Sequence, residues 1–130
     1  MPNSPTVAIV DDDEAVREAL GDLLMVSGLA CHKFAGAAFF LAALEDHRFD
    51  CVITDIRMPG MSGIDLIERL REEGIELPVV VLSSVREEQA RKHALALGVR
   101  AWFTKPVSDE ELLTTLGSVI GEDLGPDVGS

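Results

Sequence analysis

The chain has no apolar run long enough to cross a membrane, which takes roughly 18 consecutive residues. Its beginning, MPNSPT, contains neither the basic stretch nor the apolar stretch of a secretory signal. From these two absences we expect a cytoplasmic protein that does not bind membranes.

Basic residues are scarce, because 11 lysines and arginines stand against 23 acidic residues and give a net charge of −12. Binding to nucleic acid requires Lys and Arg to displace the counterions of the phosphate backbone. We therefore expect no direct nucleic-acid binding by this domain. Most of the charges would form a solvated acidic surface, which suits protein partners or a cation.

Cysteine and histidine are also rare. Cys31 and Cys51 lie in short apolar runs, where we expect buried, reduced thiols. His32, His47 and His93 are scattered without the spacing of metal ligands, so we expect neither a zinc site nor a catalytic histidine.

What the sequence does contain is an apolar run followed by a segment of helical periodicity, five times over. A fifth helix opens with the S-x-x-E pattern of a capping box at Ser108. The predicted strands are 6–10, 29–34, 51–54, 77–82 and 100–104, and the other predicted helices are 14–27, 37–44, 63–73 and 86–97.

This alternation predicts an α/β fold, with a parallel sheet covered by helices on both faces. Right-handed crossovers favour the flavodoxin-like (βα)5 arrangement with strand order 2-1-3-4-5. In that order Cys31 and Cys51 would lie about 9–10 Å apart, too far for a disulfide. We expect one domain over residues 5–121, with a tail at 1–4 and a tail or linker at 122–130.

Polar side chains follow four of the predicted strands, at the edge where such sheets bind ligands. Three converging carboxylates repel one another unless they are protonated or bridged by a cation, and oxygen ligands favour Mg²⁺ or Mn²⁺. These residues are Asp11 and Asp12 after the first strand, Asp55 after the third, Ser83 after the fourth and Lys105 after the fifth.

The chemistry of this set favours phosphoryl transfer to a carboxylate. Lys105 and the Ser83 hydroxyl could each stabilise an oxygen of the transferred group. Asp13 and Glu14 suit the N-terminus of the first helix instead, where acidic side chains oppose the helix dipole.

Four stretches together resemble the receiver-domain signature of bacterial two-component response regulators. The resemblance covers roughly residues 5 to 121, and the run T-D-I-R-M-P-G-M-S-G is most similar to receivers that precede a LuxR-type helix-turn-helix domain. The stretches are V-D-D at 10–12, D-I-R-M-P-G-M-S-G at 55–63, L-S at 82–83 and W-F-T-K-P at 102–106.

The resemblance implies a role for each residue of the site. Asp55 would accept the phosphoryl group, and Lys105 would pair with it at rest and with the phosphoryl group afterwards. Mg²⁺, with Mn²⁺ as a substitute, would be held by Asp12 directly, by Asp11 mainly through water, by Asp55 and by the backbone carbonyl of Arg57. The Lys105–Pro106 peptide would be cis, Ser83 would be the switch hydroxyl, and Trp102 would turn inward as the switch aromatic residue.

A phosphorylation-activated signalling switch is the function that these roles imply. A sensor histidine kinase would donate the phosphoryl group, and the face of helix 4, strand 5 and helix 5 would then form a homodimer or control a DNA-binding output domain. The chain would not be an enzyme in its own right, because it would catalyse only its own phosphorylation and dephosphorylation.

Other readings stay open at this point. The chain could be a stand-alone receiver that acts as a phosphotransfer shuttle or adaptor. A phosphatase of the haloacid-dehalogenase kind is less compatible, because it needs D-x-D at the end of the first strand.

Trp102 could pack on strand 5 without switching, and Ser84 with Glu87 suggests a capping box for helix 4. The predicted helix 37–44 is apolar almost all round, so either a loop or a partner would cover its second face.

Overall fold

A computed structural model describes residues 5–84 and 86–121 of the chain. Strands and helices alternate along it, as the sequence predicts. The strands are β1 (Thr6–Val10), β2 (Ala30–Phe34), β3 (Cys51–Thr54), β4 (Val79–Ser83) and β5 (Ala101–Thr104). The helices are α1 (Glu14–Val26), α2 (Ala37–Ala43), α3 (Gly63–Glu72), α4 (Glu88–Ala96) and α5 (Asp109–Ile120).

The five strands form one parallel sheet in the order β2-β1-β3-β4-β5, which confirms the predicted topology. The register aligns the carboxyl ends of the strands, since Val10 lies beside Thr54 on β3. At the far side of the sheet, Ser83 lies beside Thr104 on β5. The residues that follow β1 and β3 therefore leave the sheet side by side.

Helices cover both faces of the sheet, and alternate residues of each strand point to opposite faces. On β1, Ala8 and Val10 belong to the core under α2, α3 and α4, whereas Val7 and Ile9 belong to the core under α1 and α5. All four of these residues are fully buried. Burial on both faces explains why the strands appear in the sequence as continuous apolar runs.

Two helices are capped at their N-termini by residues that the sequence predicts for this position. Asp13 caps α1 by accepting hydrogen bonds from the backbone N–H groups of Ala15, at 2.9 Å, and Val16, at 3.4 Å. Ser108 caps α5, where its hydroxyl accepts from the Glu111 N–H at 3.0 Å. Both contacts satisfy N–H groups that have no partner inside the helix.

The predicted capping box of Ser84 with Glu87 is wrong. Helix α4 begins at Glu88, so that Glu87 itself is the N-cap residue, and no side chain caps the helix among the described residues. The Glu87 carboxylate pairs instead with the guanidinium of Arg57 on another segment. A long-range ion pair has therefore replaced the local cap.

The two cysteines are free thiols on either side of β1, since Val7 is the register partner of both. Cys51 is buried as predicted, and burial raises the pKa of its thiol to about 12. Cys31 is only half-buried, contrary to the prediction, because β2 is an edge strand.

Helix α2 is apolar on both sides but buried on one. Phe40 is completely buried, whereas Phe39 is 66% exposed. Within the described residues, no loop covers the outer face of α2. No helix within residues 5–84 and 86–121 has the length and apolar character of a membrane span.

Candidate functional site

The structure brings together the carboxylates of Asp11, Asp12 and Asp55. One oxygen of each lies within 4.8 Å of the other two. The backbone N–H of Asp55 donates to the Val10 carbonyl at 3.0 Å, which continues the pairing of β1 with β3 beyond the strand ends. The strand order predicted this convergence, because it makes β1 and β3 neighbours.

Asp55 is almost enclosed, with 7% of its surface exposed. Its Oδ1 accepts a hydrogen bond from the Ile56 N–H at 2.7 Å, and its Oδ2 lies 3.6 Å from the Lys105 ammonium nitrogen. Burial raises the pKa of the Asp55 carboxyl above its usual range. The Ile56 N–H and Lys105 oppose that rise, whereas the charges of Asp11 and Asp12 add to it.

Asp11 is the other enclosed carboxylate, with 2% exposure, while Asp12 is exposed to solvent. Asp11 Oδ1 accepts from the Asp13 N–H at 2.9 Å, and its Oδ2 accepts from Lys105 Nζ at 3.2 Å. Lys105 therefore lies between the two enclosed acids and is nearer to Asp11. The sequence predicted the lysine beside Asp55 and did not anticipate that Asp11 would share it.

This donor set fits a hard divalent cation. Three carboxylates face one ammonium group, so negative charge is in excess at a site where two of the acids are removed from water. The candidate ligands are all oxygen atoms, which Mg²⁺ and Mn²⁺ prefer. Since the pKa of Asp55 is raised by burial and by the neighbouring acids, its ionisation is less favourable here than that of an ordinary carboxyl, and a further positive charge would favour it.

Ser83, Lys105 and Pro106 come from the ends of β4 and β5, the two strands on the opposite side of β3 from β1. Ser83 ends β4 and is fully buried, and its carbonyl accepts from the Lys105 backbone N–H at 2.7 Å. The Lys105–Pro106 peptide bond is cis. The adjoining strand ends of β4 and β5 thus place a hydroxyl residue and a lysine at the same edge as the acids.

Trp102 and Arg57 lie outside this group of side chains. Trp102 is half-buried on β5 and packs against the core under α2, α3 and α4. Arg57 follows Asp55 by two residues, and its exposed guanidinium pairs with Glu87. Neither side chain contributes to the acidic cluster.

Gly63 is a site residue whose role the sequence did not reveal. A Cβ at this position would lie 2.2 Å from the Asp55 carbonyl oxygen and 2.9 Å from the Ile56 Cα. The Gly63 N–H donates to the Ile56 carbonyl at 2.9 Å. The start of α3 thus packs directly against the backbone of Asp55, an approach that only glycine allows.

Arg17 and Thr54 also support the backbone of the site, and the sequence did not indicate either role. The Arg17 guanidinium donates to the Asp11 carbonyl at 2.8 Å, and the Thr54 hydroxyl donates to the Asp55 carbonyl at 2.8 Å. Both bonds fix backbone beside an acid of the cluster. A spacing rule does not detect them, because both acceptors are main-chain atoms.

Comparison with known proteins agrees with this geometry. The response regulator receiver domain family matches residues 7–117. The transcriptional regulatory protein FixJ of Azorhizobium caulinodans is 36% identical over 121 residues, which are 93% of this chain and 57% of that protein. The response regulator protein TodT of Pseudomonas putida is 36% identical over 114 residues, which are 88% of this chain and 50% of that protein. The chain spans about half the length of these curated relatives.

Solved structures show the same fold. The crystal structure of FixJ-N has a TM-score of 0.84 and 30% identity, and covers 97% of this chain and 100% of that one. A response regulator receiver protein from Pseudomonas putida has a TM-score of 0.87 and 30% identity, and covers 91% of this chain and 99% of that one.

Proposed function

Since the chain belongs to the response regulator receiver domain family of two-component systems, we propose that it is switched by a phosphoryl group on Asp55. The donor is the phosphohistidine of a sensor histidine kinase. One observation supports the choice of Asp55 above all: this carboxylate is enclosed, and it lies beside a lysine and close to two further acids.

Asp55 would act as the nucleophile. Its free oxygen, Oδ2, forms the bond to phosphorus while the bond between phosphorus and the donor imidazole nitrogen breaks, and the imidazole leaves neutral after taking up a proton. The Ile56 N–H holds Oδ1 and so fixes the orientation of the carboxylate. The Lys105 ammonium group stays beside the phosphoryl oxygens, and the Ser83 hydroxyl donates to one of them.

Asp11, Asp12, Asp55 and the backbone carbonyl of Arg57 would hold Mg²⁺, with Asp12 as a direct ligand and Asp11 acting mainly through water. When bound, the ion neutralises negative charge on the carboxylates and on the transferred group. Asp11 also holds Lys105 through the 3.2 Å contact, which keeps the ammonium group at the site.

The signal would leave through α4, β5 and α5. Ser83 moves toward the phosphoryl group, Trp102 turns inward, and the altered face forms a homodimer or controls an output domain. Because this chain spans about half of FixJ and TodT, a DNA-binding output domain in the full-length protein is the reading we favour. A stand-alone receiver that relays phosphoryl groups in the cytoplasm is the second candidate.

Intact-mass spectrometry with acetyl phosphate and Mg²⁺ tests the acceptor. We expect the wild-type chain to gain one phosphoryl group and Asp55→Asn to gain none. Asp46→Asn, an exposed carboxylate after α2, is the matched control and should be phosphorylated normally. Phosphorylation of Asp55→Asn would show that Asp55 is not the acceptor. Sustained turnover of p-nitrophenyl phosphate by the wild-type chain would favour a phosphatase.

A further inference from the structure

An ion pair joins the two segments that follow the acceptor and the switch serine. Arg57 comes two residues after Asp55, and Glu87 comes four residues after Ser83. Their side chains pair across the space between the β3–α3 loop and the start of α4. The Glu87 side chain is 30% exposed, so the pair is partly shielded from solvent at its acidic end.

Among the described residues, apolar packing does little to fix the start of α4. In this helix, all of whose residues the structure describes, Ala94 is the one buried residue, and it lies in the second half. A groove of about 560 Å³ separates the first turn of α4 from the β3–α3 loop and α3. Its apolar lining is Ile56, Met58, Pro59, Ile64 and Ala90, with Arg57 and Glu87 also at its wall.

The other polar links between α4 and its neighbour lie further along the helix. His93 Nε2 lies 2.7 Å from Glu68 Oε2 on α3, and Arg71 Nε donates to the Leu97 carbonyl at 2.8 Å. Both links hold the C-terminal half of α4. Among the described contacts, the Arg57–Glu87 pair is therefore the one that anchors its N-terminal end.

We propose that the Arg57–Glu87 ion pair is a latch that holds the first turn of α4 in its resting position and opens when the acceptor site is loaded. This inference rests on the proposed function, in which Ser83 moves toward the phosphoryl group. Glu87 is four residues from Ser83, so movement of Ser83 displaces the segment that carries Glu87, and the latch opens if that displacement breaks the contact with Arg57. Loading the site and opening the latch are then coupled, and by linkage a broken latch favours the loaded state.

Isothermal titration of the full chain with beryllium fluoride and Mg²⁺, a stable substitute for the phosphoryl group, tests the latch. We expect Glu87→Gln to bind about two- to fivefold more tightly than wild type, a size typical of an ion pair that solvent partly reaches. Glu88→Gln is the matched control, because it removes the same charge one residue later. Glu88 pairs with Arg91 inside α4, so the Glu88→Gln variant should bind beryllium fluoride with the affinity of wild type.

A double-mutant cycle separates the ion pair from any other role of Glu87. In an Arg57→Gln background, Glu87→Gln should no longer change the affinity, because its partner is already gone. An equal gain in that background, or equal gains for Glu87→Gln and Glu88→Gln, would overturn the latch and leave the proposed function intact. Failure of the wild-type chain itself to bind beryllium fluoride would overturn both.

Discussion

Helices α3 and α4 cover the same face of the sheet, but different forces hold them there. Helix α3 buries four residues and begins with a complete capping box between Ser62 and Asp65. Helix α4 buries one residue, has no side-chain cap among the described residues, and is tied to its surroundings by the Arg57–Glu87 ion pair and by a contact of His93 with Glu68. Helix α3, which packs against Asp55, is thus held firmly, while α4, which follows Ser83, is held by polar contacts that can be exchanged.

The largest expected difference between the two helices is in stability. Leu66 on α3 is fully buried, and Leu66→Ala should lower the free energy of unfolding by about 2–5 kcal/mol through lost burial and a cavity. Leu95 on α4 is 40% exposed, and the same substitution there should lower it by about 1 kcal/mol or less. Urea unfolding of both variants measures the contrast. Equal losses would mean that α4 is packed as firmly as α3.

A smaller effect is expected where α3 meets Asp55, the proposed acceptor. Gly63→Ala places a methyl group against the Asp55 backbone, and should lower the free energy of unfolding by about 1–3 kcal/mol. It should also slow phosphorylation, since the Asp55 and Ile56 backbone must shift. Gly36→Ala is the control, because the nearest atom to its Cβ would be the Phe39 ring at an ordinary 3.9 Å. Normal phosphorylation of Gly63→Ala would show that α3 does not position the acceptor.

The smallest effect concerns the charge of the Asp55 carboxylate. Because burial raises the pKa of Asp55, its ionisation disfavours the folded state. That penalty is absent below the ordinary carboxyl pKa of about 4 and grows as the pH rises through the raised value. Asp55→Asn should therefore be more stable than wild type at pH 7 without Mg²⁺, and the gain should shrink toward pH 4.

Urea unfolding of wild type and Asp55→Asn across this pH range measures the effect. Saturating Mg²⁺ should reduce the difference, because an ion that binds the folded state stabilises the wild-type chain. A wild-type chain more stable than Asp55→Asn at pH 7 in the absence of Mg²⁺ would contradict the raised pKa.

The sheet and the acidic cluster could be predicted because each depends on local patterns. Five apolar runs define the strands, and the residue after each run must lie at the carboxyl edge of a parallel sheet. Asp11 and Asp55 follow neighbouring strands, so their proximity follows from the strand order alone. Knowing that these two strands are neighbours was enough to indicate a cation site.

The sequence was less informative where distant segments compete for a side chain. Ser84 and Glu87 have the spacing of a capping box, but Arg57 takes the Glu87 carboxylate from another part of the chain. In the same way, His32 and His47 show no ligand spacing, and yet their ring centroids lie 5.2 Å apart. Such contacts depend on the packing of helices and loops, which a local pattern does not contain.

Trp102 gives the molecule a built-in optical probe. It is the one tryptophan in the chain, and it is half-buried on β5 against the core that α3 and α4 share. Its emission therefore reports on the polarity around a single strand, with no background from other indoles. Titrations of the acidic cluster can be followed through this fluorescence in the unlabelled protein, and a shift in emission would register movement of β5 or α4 directly.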